Sequence, residues 1–256
     1  MDSYTLELRI NDCIGKIKFG HPSKNAMTSV MLNKLADLID KANESKLCAI
    51  VIASEGSSVF CAGANFDELL ALENEKQATA FFSGFAKVIL AIRRSRALVI
   101  GRIQGKSVGG GVGLIASCDY CYATETASIK LSEIGIGIAP LVIEPVVSRK
   151  VGIGAMAEFA LNPNEWKNSE WAKTNNLYQS VYPSEVELDK ALEEKLHQLA
   201  TYSPDALSAL KYSLWEGTEH YENLLFKRAE ESGKLSLTKK ARSMLTAFKN
   251  LSLIHI

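Results

Sequence analysis

The strongest constraint on the fold is residues 103–119, IQGKSVGGGVGLIASCD, where three successive glycines, Gly109 to Gly111, follow a short polar turn and open directly into an apolar, small-residue segment. That pattern suits a helix whose first turn lies very close to a ligand. No Cβ fills the space, and the free N–H groups of the first turn point at whatever sits there. The sequel, residues 127–140 (ASIKLSEIGIGIAP), carries one acidic residue, Glu133, between Ser132 and a Gly/Ile/Pro stretch. Glu133 has two readings. One is a surface or capping glutamate before a glycine turn. The other is a carboxylate in an apolar cleft, where desolvation raises its pKa and makes it a usable acid or base.

Strand and helix patterns alternate around this run. Residues 4–10 (YTLELRI) alternate, Asp12 and Gly15 turn, and residues 14–19 (IGKIKF) alternate again, which predicts a hairpin. Thr28 or Ser29 can cap a helix with apolar residues at Met31, Leu32, Leu35, Leu38 and Ile39. Residues 47–53 (LCAIVIA) read as an unbroken apolar strand buried on both faces. The small-residue stretch 57–65 leads into a helix near Phe66. Residues 81–94 are amphipathic, and residues 97–101 (ALVIG) form the apolar strand that feeds the glycines. Two small-residue loops therefore follow apolar strands and precede helices, the arrangement that lines a ligand crevice in α/β folds.

Residues 120–123 and 126–131 read as short strands, and residues 141–151 and 155–161 as apolar helices. Trp166 and Trp171, in a polar run, suit packing at a cleft rim or a subunit contact. Beyond residue 183 the pattern is wholly helical, with Ser203-Pro204 as one helix start. The expected organisation is a core over residues 1–183 and a helical region over 184–256, ending in the apolar string LSLIHI, which reads as a frayed tail.

Bulk properties exclude several classes. Twenty-nine Lys and Arg balance 29 Asp and Glu, so no net basic charge argues for nucleic acid. No apolar run approaches membrane-spanning length and the start of the chain carries no signal-peptide pattern, which predicts a cytoplasmic protein without membrane association. The cysteines (Cys13, Cys48, Cys61, Cys118, Cys121) lack metal-type pairing, so free thiols and no metal site are expected. The string GGGVG is not the dinucleotide fingerprint GxGxxG. GRIQGKS has one residue too few between its glycines for a phosphate loop. Donors aimed at a single oxygen fit the loop better.

Together the strings FCAGAN (60–65), QGKSVGGG (104–111), Cys118-Asp119 and SEIGIGIAP (132–140) resemble the crotonase, or enoyl-CoA hydratase/isomerase, superfamily. Asn25-Ala26 after the Pro22 turn resembles the family's Asn-Ala segment, and the helical tail its trimerisation region. Several features also resemble the branch that includes methylglutaconyl-CoA hydratases. The resemblance implies an α/β fold of the ClpP/crotonase-like type, a spiral of β-β-α units with a C-terminal helical trimerisation region. It implies an acyl-CoA thioester as substrate, coenzyme A entering only as part of it, and a homotrimer or homohexamer. It also implies that the backbone N–H groups of Ala64 and Gly110 form an oxyanion hole, that Ala26 and Ala62 flank the CoA path, and that Glu133 transfers the proton. Some of Lys227, Arg228, Lys239, Lys240 and Lys249 become candidate CoA phosphate contacts.

The departure from the family pattern is at Gly113. In the hydratases the first catalytic glutamate stands there, and hydration asks for one carboxylate to hold water and another to deliver the proton. With one missing, the resemblance leaves three readings: hydratase/isomerase action through a single glutamate, double-bond isomerisation without hydration, and a non-catalytic acyl-CoA-binding relative. Glu144 and Glu68 are candidates to replace the lost carboxylate. The family's Gly-Gly-Thr-Gln run after the proline is replaced by Leu141-Val142-Ile143-Glu144-Pro145, which predicts a more apolar cleft wall.

Overall fold

The structure, a computed structural model, describes residues 3–254, with side chains described as far as Lys249. The final string LSLIHI, expected to fray, thus falls outside the described side chains, and its last two residues outside the described chain.

The chain opens as its alternation predicts. Strands β1 (Thr5–Asn11) and β2 (Ile14–Gly20) pair antiparallel around a turn in which Asp12 takes φ 51°. Helix α1 (Ser29–Asn43) is capped by Thr28, whose side chain accepts from Met31 N–H at 3.2 Å. Strand β3 (Ala49–Ser54) then pairs parallel to β2.

Three β-β-α units follow, and they build the site. The first runs from β3 through β4 (Val59–Cys61) to α2 (Phe66–Ala71), after which α3 (Glu75–Arg94) returns the chain. The second runs through β5 (Leu98–Ile103), β6 (Lys106–Val108) and α4 (Gly110–Ser117). The third runs through β7 (Tyr120–Thr124), β8 (Ile129–Lys130) and a single 3₁₀ turn, Ile134–Ile136. In each unit the first strand joins a six-stranded sheet, β1-β2-β3-β5-β7-β9, closed at its edge by β9 (Ser180–Tyr182). The second strand joins a small parallel sheet, β4-β6-β8. Each unit leaves the small sheet at the same edge, so the loops 62–65, 109–110 and 132–133 converge.

The large sheet is covered on both faces, as an unbroken apolar strand requires. Ile50 and Ile52 of β3 pack with Leu35 and Ile39 of α1 and with the apolar face of α3. The alternate residues Ala49 and Val51 face Leu188, Leu192 and Leu196 of α8 (Glu185–Ala200). Helices α5 (Glu144–Val151), α6 (Ile153–Leu161) and α7 (Ser169–Thr174) carry the chain from the third unit to β9. Helix α9 (Pro204–Leu214) begins at the expected Ser203-Pro204, with Ser203 accepting from Ala206 N–H. Helix α10 (Tyr221–Ser236) then crosses α3 closely: a Cβ on Gly233 would lie 2.9 Å from Thr79 N. Helix α11 (Lys239–Ile254) reaches α2, where Arg242 donates to Leu69 O at 3.0 Å.

Some expectations need correction. The amphipathic helix expected from Phe81 begins at Glu75, because Asn74 accepts from Gln77 N–H at 3.0 Å and caps it there. The strand expected over 126–131 is only Ile129–Lys130, and the helix expected from Leu141 starts at Glu144. Strands β4, β6 and β9 and helix α7 had no counterpart in the sequence reading. All five cysteines are free, four of them buried and Cys13 partly exposed.

Candidate active site

The three convergent loops enclose a cavity of about 60 Å³. Ala62, Gly63 and Ala64 come from the first unit, Val108 to Gly110 from the second, and Ser132 and Glu133 from the third.

The first loop is fixed by a two-residue bridge. Met27 donates its N–H to Gly63 O (2.7 Å) and accepts from Asn65 N–H (2.9 Å). In a parallel bridge those bonds go to the residues flanking Ala64, so the Ala64 N–H points away from Met27. Gly63 has φ +84°, and a Cβ there would meet Val108 O at 2.7 Å and lie 3.5 Å from Gly110 N. The first and second loops are therefore in contact, and the glycine is required. Among the described residues no protein acceptor takes either the Ala64 N–H or the Gly110 N–H. The latter lies in the first turn of α4, where no intrahelical partner exists.

Gly109 takes φ +52° and donates to Lys130 O at 2.9 Å. A Cβ on it would sit 2.7 Å from Glu133 Oε1, so the carboxyl group of Glu133 rests directly over the glycine turn. The backbone carbonyl of Glu133 accepts from Ile136 and Ile138 N–H groups, which fixes the residue at the head of the 3₁₀ turn. Its Oε2 is shut off from solvent and has no hydrogen-bond partner. Burial pushes the carboxyl pKa from its ordinary value up to about 7, against a smaller opposing effect of its own backbone N–H. Glu133 is the one side chain with a titratable carboxyl, amine or imidazole among the described residues lining the cavity.

At Gly113 the cavity is packed, not open. A Cβ there would lie 2.2 Å from Ile143 Cγ2 and 2.6 Å from Ile143 Cβ. Ile143 is buried and lines the cavity with Leu141 and Val142, so the apolar wall expected from this segment is present. Neither candidate replacement carboxylate reaches it. Glu144 accepts from Ser148 Oγ and is ion-paired with Arg228. Glu68 accepts from the N–H and hydroxyl of Ser29 at the start of α1.

A second cavity, about 580 Å³, adjoins the first and shares Ala62, Ala64, Phe66 and Ser132 with it. Ala26 lines this outer chamber, as do Lys24, Lys106 and Lys130. The last two place their ammonium groups 5.3 and 5.5 Å from the ring centroid of Trp166, which stands at the rim. Of the basic residues singled out from the tail, Arg228 is committed to Glu144 and Lys249 pairs with Asp67 beside the outer chamber. Trp171 instead packs on Phe159. The sequence reading missed Phe85 and Ser232 as cavity walls and the three lysines of the outer chamber. Spacing gave no signal for them, because each reaches the cavity from a different element.

A metal-binding cluster of three or more His, Cys, Asp or Glu is absent among the described residues, and no described helix is long and apolar enough to cross a membrane. Fold and site together define a β-β-α spiral with two free N–H groups and a buried carboxylate facing one small chamber. Residues 9–249 match the enoyl-CoA hydratase/isomerase family, and the chain belongs to that family, as an enzyme acting on a CoA thioester. It is 26% identical over 236 residues to the peroxisomal Delta(3,5)-Delta(2,4)-dienoyl-CoA isomerase of Arabidopsis thaliana, covering 86% of this chain and 84% of that protein. It is 26% identical over 227 residues to the short-chain-enoyl-CoA hydratase of Clostridium acetobutylicum, covering 88% and 86%. The crystal structure of enoyl-CoA hydratase from Bacillus halodurans superposes with a TM-score of 0.88 at 21% identity, over 94% of this chain and 99% of that one.

Proposed function

We propose that the protein shifts the double bond of a short enoyl-CoA thioester, using Glu133 as the single acid/base and the N–H groups of Ala64 and Gly110 as the oxyanion hole. The observation that carries this reading is the packing of Ile143 into the space above Gly113, which leaves Glu133 as the only carboxylate lining the chamber among the described residues.

In this mechanism the Glu133 carboxylate takes a proton from C2 of a 3-enoyl thioester. The electron pair of that C–H bond forms a dienolate, and its negative charge settles on the thioester oxygen. Two backbone donors meet that oxygen, and the loss of one such donor typically costs about 3 kcal/mol of transition-state stabilisation. The protonated Glu133 then returns the same proton to C4, and the double bond ends between C2 and C3. Atoms balance without water. A carboxyl pKa near 7 suits both halves of the step, since one group must act first as base and then as acid. The inner cavity is small, about 60 Å³, which favours a short acyl chain.

The outer chamber suits the CoA moiety: Ala26 and Ala62 leave a path for the pantetheine arm, and Lys24, Lys106 and Lys130 offer charge to phosphates. Exposed Ile153 and Leu161 on α6 and Leu210 and Leu214 on α9 support a homotrimer or homohexamer. The free thiols fit the reducing cytoplasm. Hydration, as in a methylglutaconyl-CoA hydratase-like branch, would need a second carboxylate at the chamber.

The test is to incubate the protein separately with pent-3-enoyl-CoA and pent-2-enoyl-CoA. The expected result is interconversion without change of mass, followed by the absorbance of the conjugated enoyl thioester. Gain of one water would replace this reading with hydration. Binding without turnover would leave an acyl-CoA-binding relative.

A further inference from the structure

Ser232 of α10 also lines the inner cavity. The residue is 1% exposed, and its Oγ has no hydrogen-bond partner. That is unusual for its own helix: Ser236, one turn on, donates to Gly233 O at 2.8 Å and is satisfied within the chain. Buried hydroxyls left without a partner are costly, and those found in native proteins call for an explanation. Here α10 is held tightly where Gly233 meets Ala78 and Thr79 of α3, so the hydroxyl is delivered to a fixed place. Apart from Ser132 and Glu133, the other residues lining the cavity, Phe82, Phe85, Ile138 and Leu141 among them, offer no side-chain polar atom.

We propose that Ser232 reads a neutral oxygen substituent, hydroxyl or keto, carried on the short acyl chain of the substrate. This rests on the reading of the inner cavity as the acyl site. A serine hydroxyl both donates and accepts, so either oxygen type satisfies it. Charged substituents do not fit. No Lys, Arg or His is among the described residues lining the inner chamber, so a substrate carboxylate would be buried unpaired beside Glu133. An ammonium would neutralise the very group that must act as base. A wholly apolar chain would fill the space but leave the hydroxyl unpaired, and a site that loses its hydrogen-bond partner discriminates against the analogue lacking it.

The experiment compares 5-hydroxypent-3-enoyl-CoA with pent-3-enoyl-CoA in the wild-type protein and in Ser232→Ala. Because the hydroxyl makes no bond within the protein, the variant retains its fold. The wild type is expected to favour the hydroxylated substrate about tenfold or more in kcat/KM. Ser232→Ala brings the ratio of the two substrates to near one, with a loss on the hydroxylated substrate that exceeds any loss on pent-3-enoyl-CoA. A wild-type ratio near one, or equal losses on both substrates, overturns the proposal. If neither enoyl thioester turns over, isomerisation has failed, and the same comparison is read by calorimetry with 5-hydroxypentanoyl-CoA and pentanoyl-CoA. A preference in Kd that vanishes in Ser232→Ala then upholds the role of Ser232, and equal Kd values overturn it.

Discussion

Asp119 and Glu133 are both buried carboxylates attached to the same β-β-α unit, and they have opposite surroundings. Asp119 lies at the starting edge of β7, its side chain 4% exposed. It accepts from Val99 N–H and Trp215 Nε1, each at 2.7 Å, and from Lys211 Nζ at 2.9 Å. Glu133 lies past the other end of the strands, over a glycine turn, with Oε2 bonded to nothing. Three donors converge on the first, whereas burial pushes the carboxyl pKa of the second up to about 7. Burial is common to both side chains; a carboxylate oxygen left without a partner is particular to Glu133.

The sharpest way to break this comparison is to neutralise each carboxylate. Glu133→Gln should lower kcat on a short 3-enoyl-CoA by about 10³–10⁴-fold, in the range of general acid–base contributions. The Kd for a saturated acyl-CoA should stay nearly constant, because the oxyanion donors are backbone groups. Asp119→Asn should leave the turnover of the folded fraction intact. Retained turnover in Glu133→Gln would remove the assigned base.

Stability should sort the pair the other way. Lys211 is buried, and burial pushes its pKa down while Asp119 opposes the shift. Asp119→Ala leaves that ammonium without its counter-ion and should cost about 3–5 kcal/mol in urea unfolding. Adding Lys211→Met should recover much of the loss, because the lone buried charge goes with it. A cost below about 1 kcal/mol would reduce the pair to the level of a surface ion pair.

Glu133 should weaken the fold as pH rises. Its native pKa of about 7 stands above the ordinary 4.5, so between these values the native state binds more protons than the unfolded chain. Its contribution is fully present below pH 4.5 and is lost as pH rises through 7, a fall of about 3 kcal/mol at pH 8. Glu133→Gln carries no such titration. The stability difference between variant and wild type should therefore grow from near zero at pH 4.5 to about 3 kcal/mol in favour of the variant at pH 8. The same group predicts that kcat/KM rises tenfold per pH unit below 7 and levels off above it. A pH-independent stability difference would mean that Glu133 is hydrated and not starved of partners.

Much of this arrangement was legible in the sequence. The β1–β2 hairpin, the apolar β3 and β5 and the capped α1 follow from periods of two and 3.6 and from capping residues. The loops carrying Ala64 and Gly110 stood out as small-residue stretches after apolar strands, the family resemblance picked out these residues and Glu133, and the structure brings all three to one cavity. Strands β4, β6 and β9 have three residues each, too few for any period to register. Partner choice was also hidden. Glu68 and Glu144 stood as candidates to replace the carboxylate missing at Gly113, and only folding commits them to Ser29 and Arg228. The match of Ile143 to Gly113 is a shape relation between distant segments, and no one-dimensional pattern encodes it.

That match supplies the smallest expected effect and sharpens what keeps Glu133 solitary. Gly113→Ala forces a Cβ to within 2.2 Å of Ile143 Cγ2, and overpacking of this kind typically costs about 1–3 kcal/mol. Ile143→Ala removes the nearest atom and should return part of that cost, so the two substitutions should be coupled in a double-mutant cycle by more than about 0.5 kcal/mol. Unfolding midpoints of the four proteins in urea measure the coupling. Additive costs would mean that the wall yields freely and that the missing carboxylate is a gap of sequence alone. Coupled costs would mean that packing itself excludes a second carboxylate, and restoring one would then require Ile143 to be cut back first.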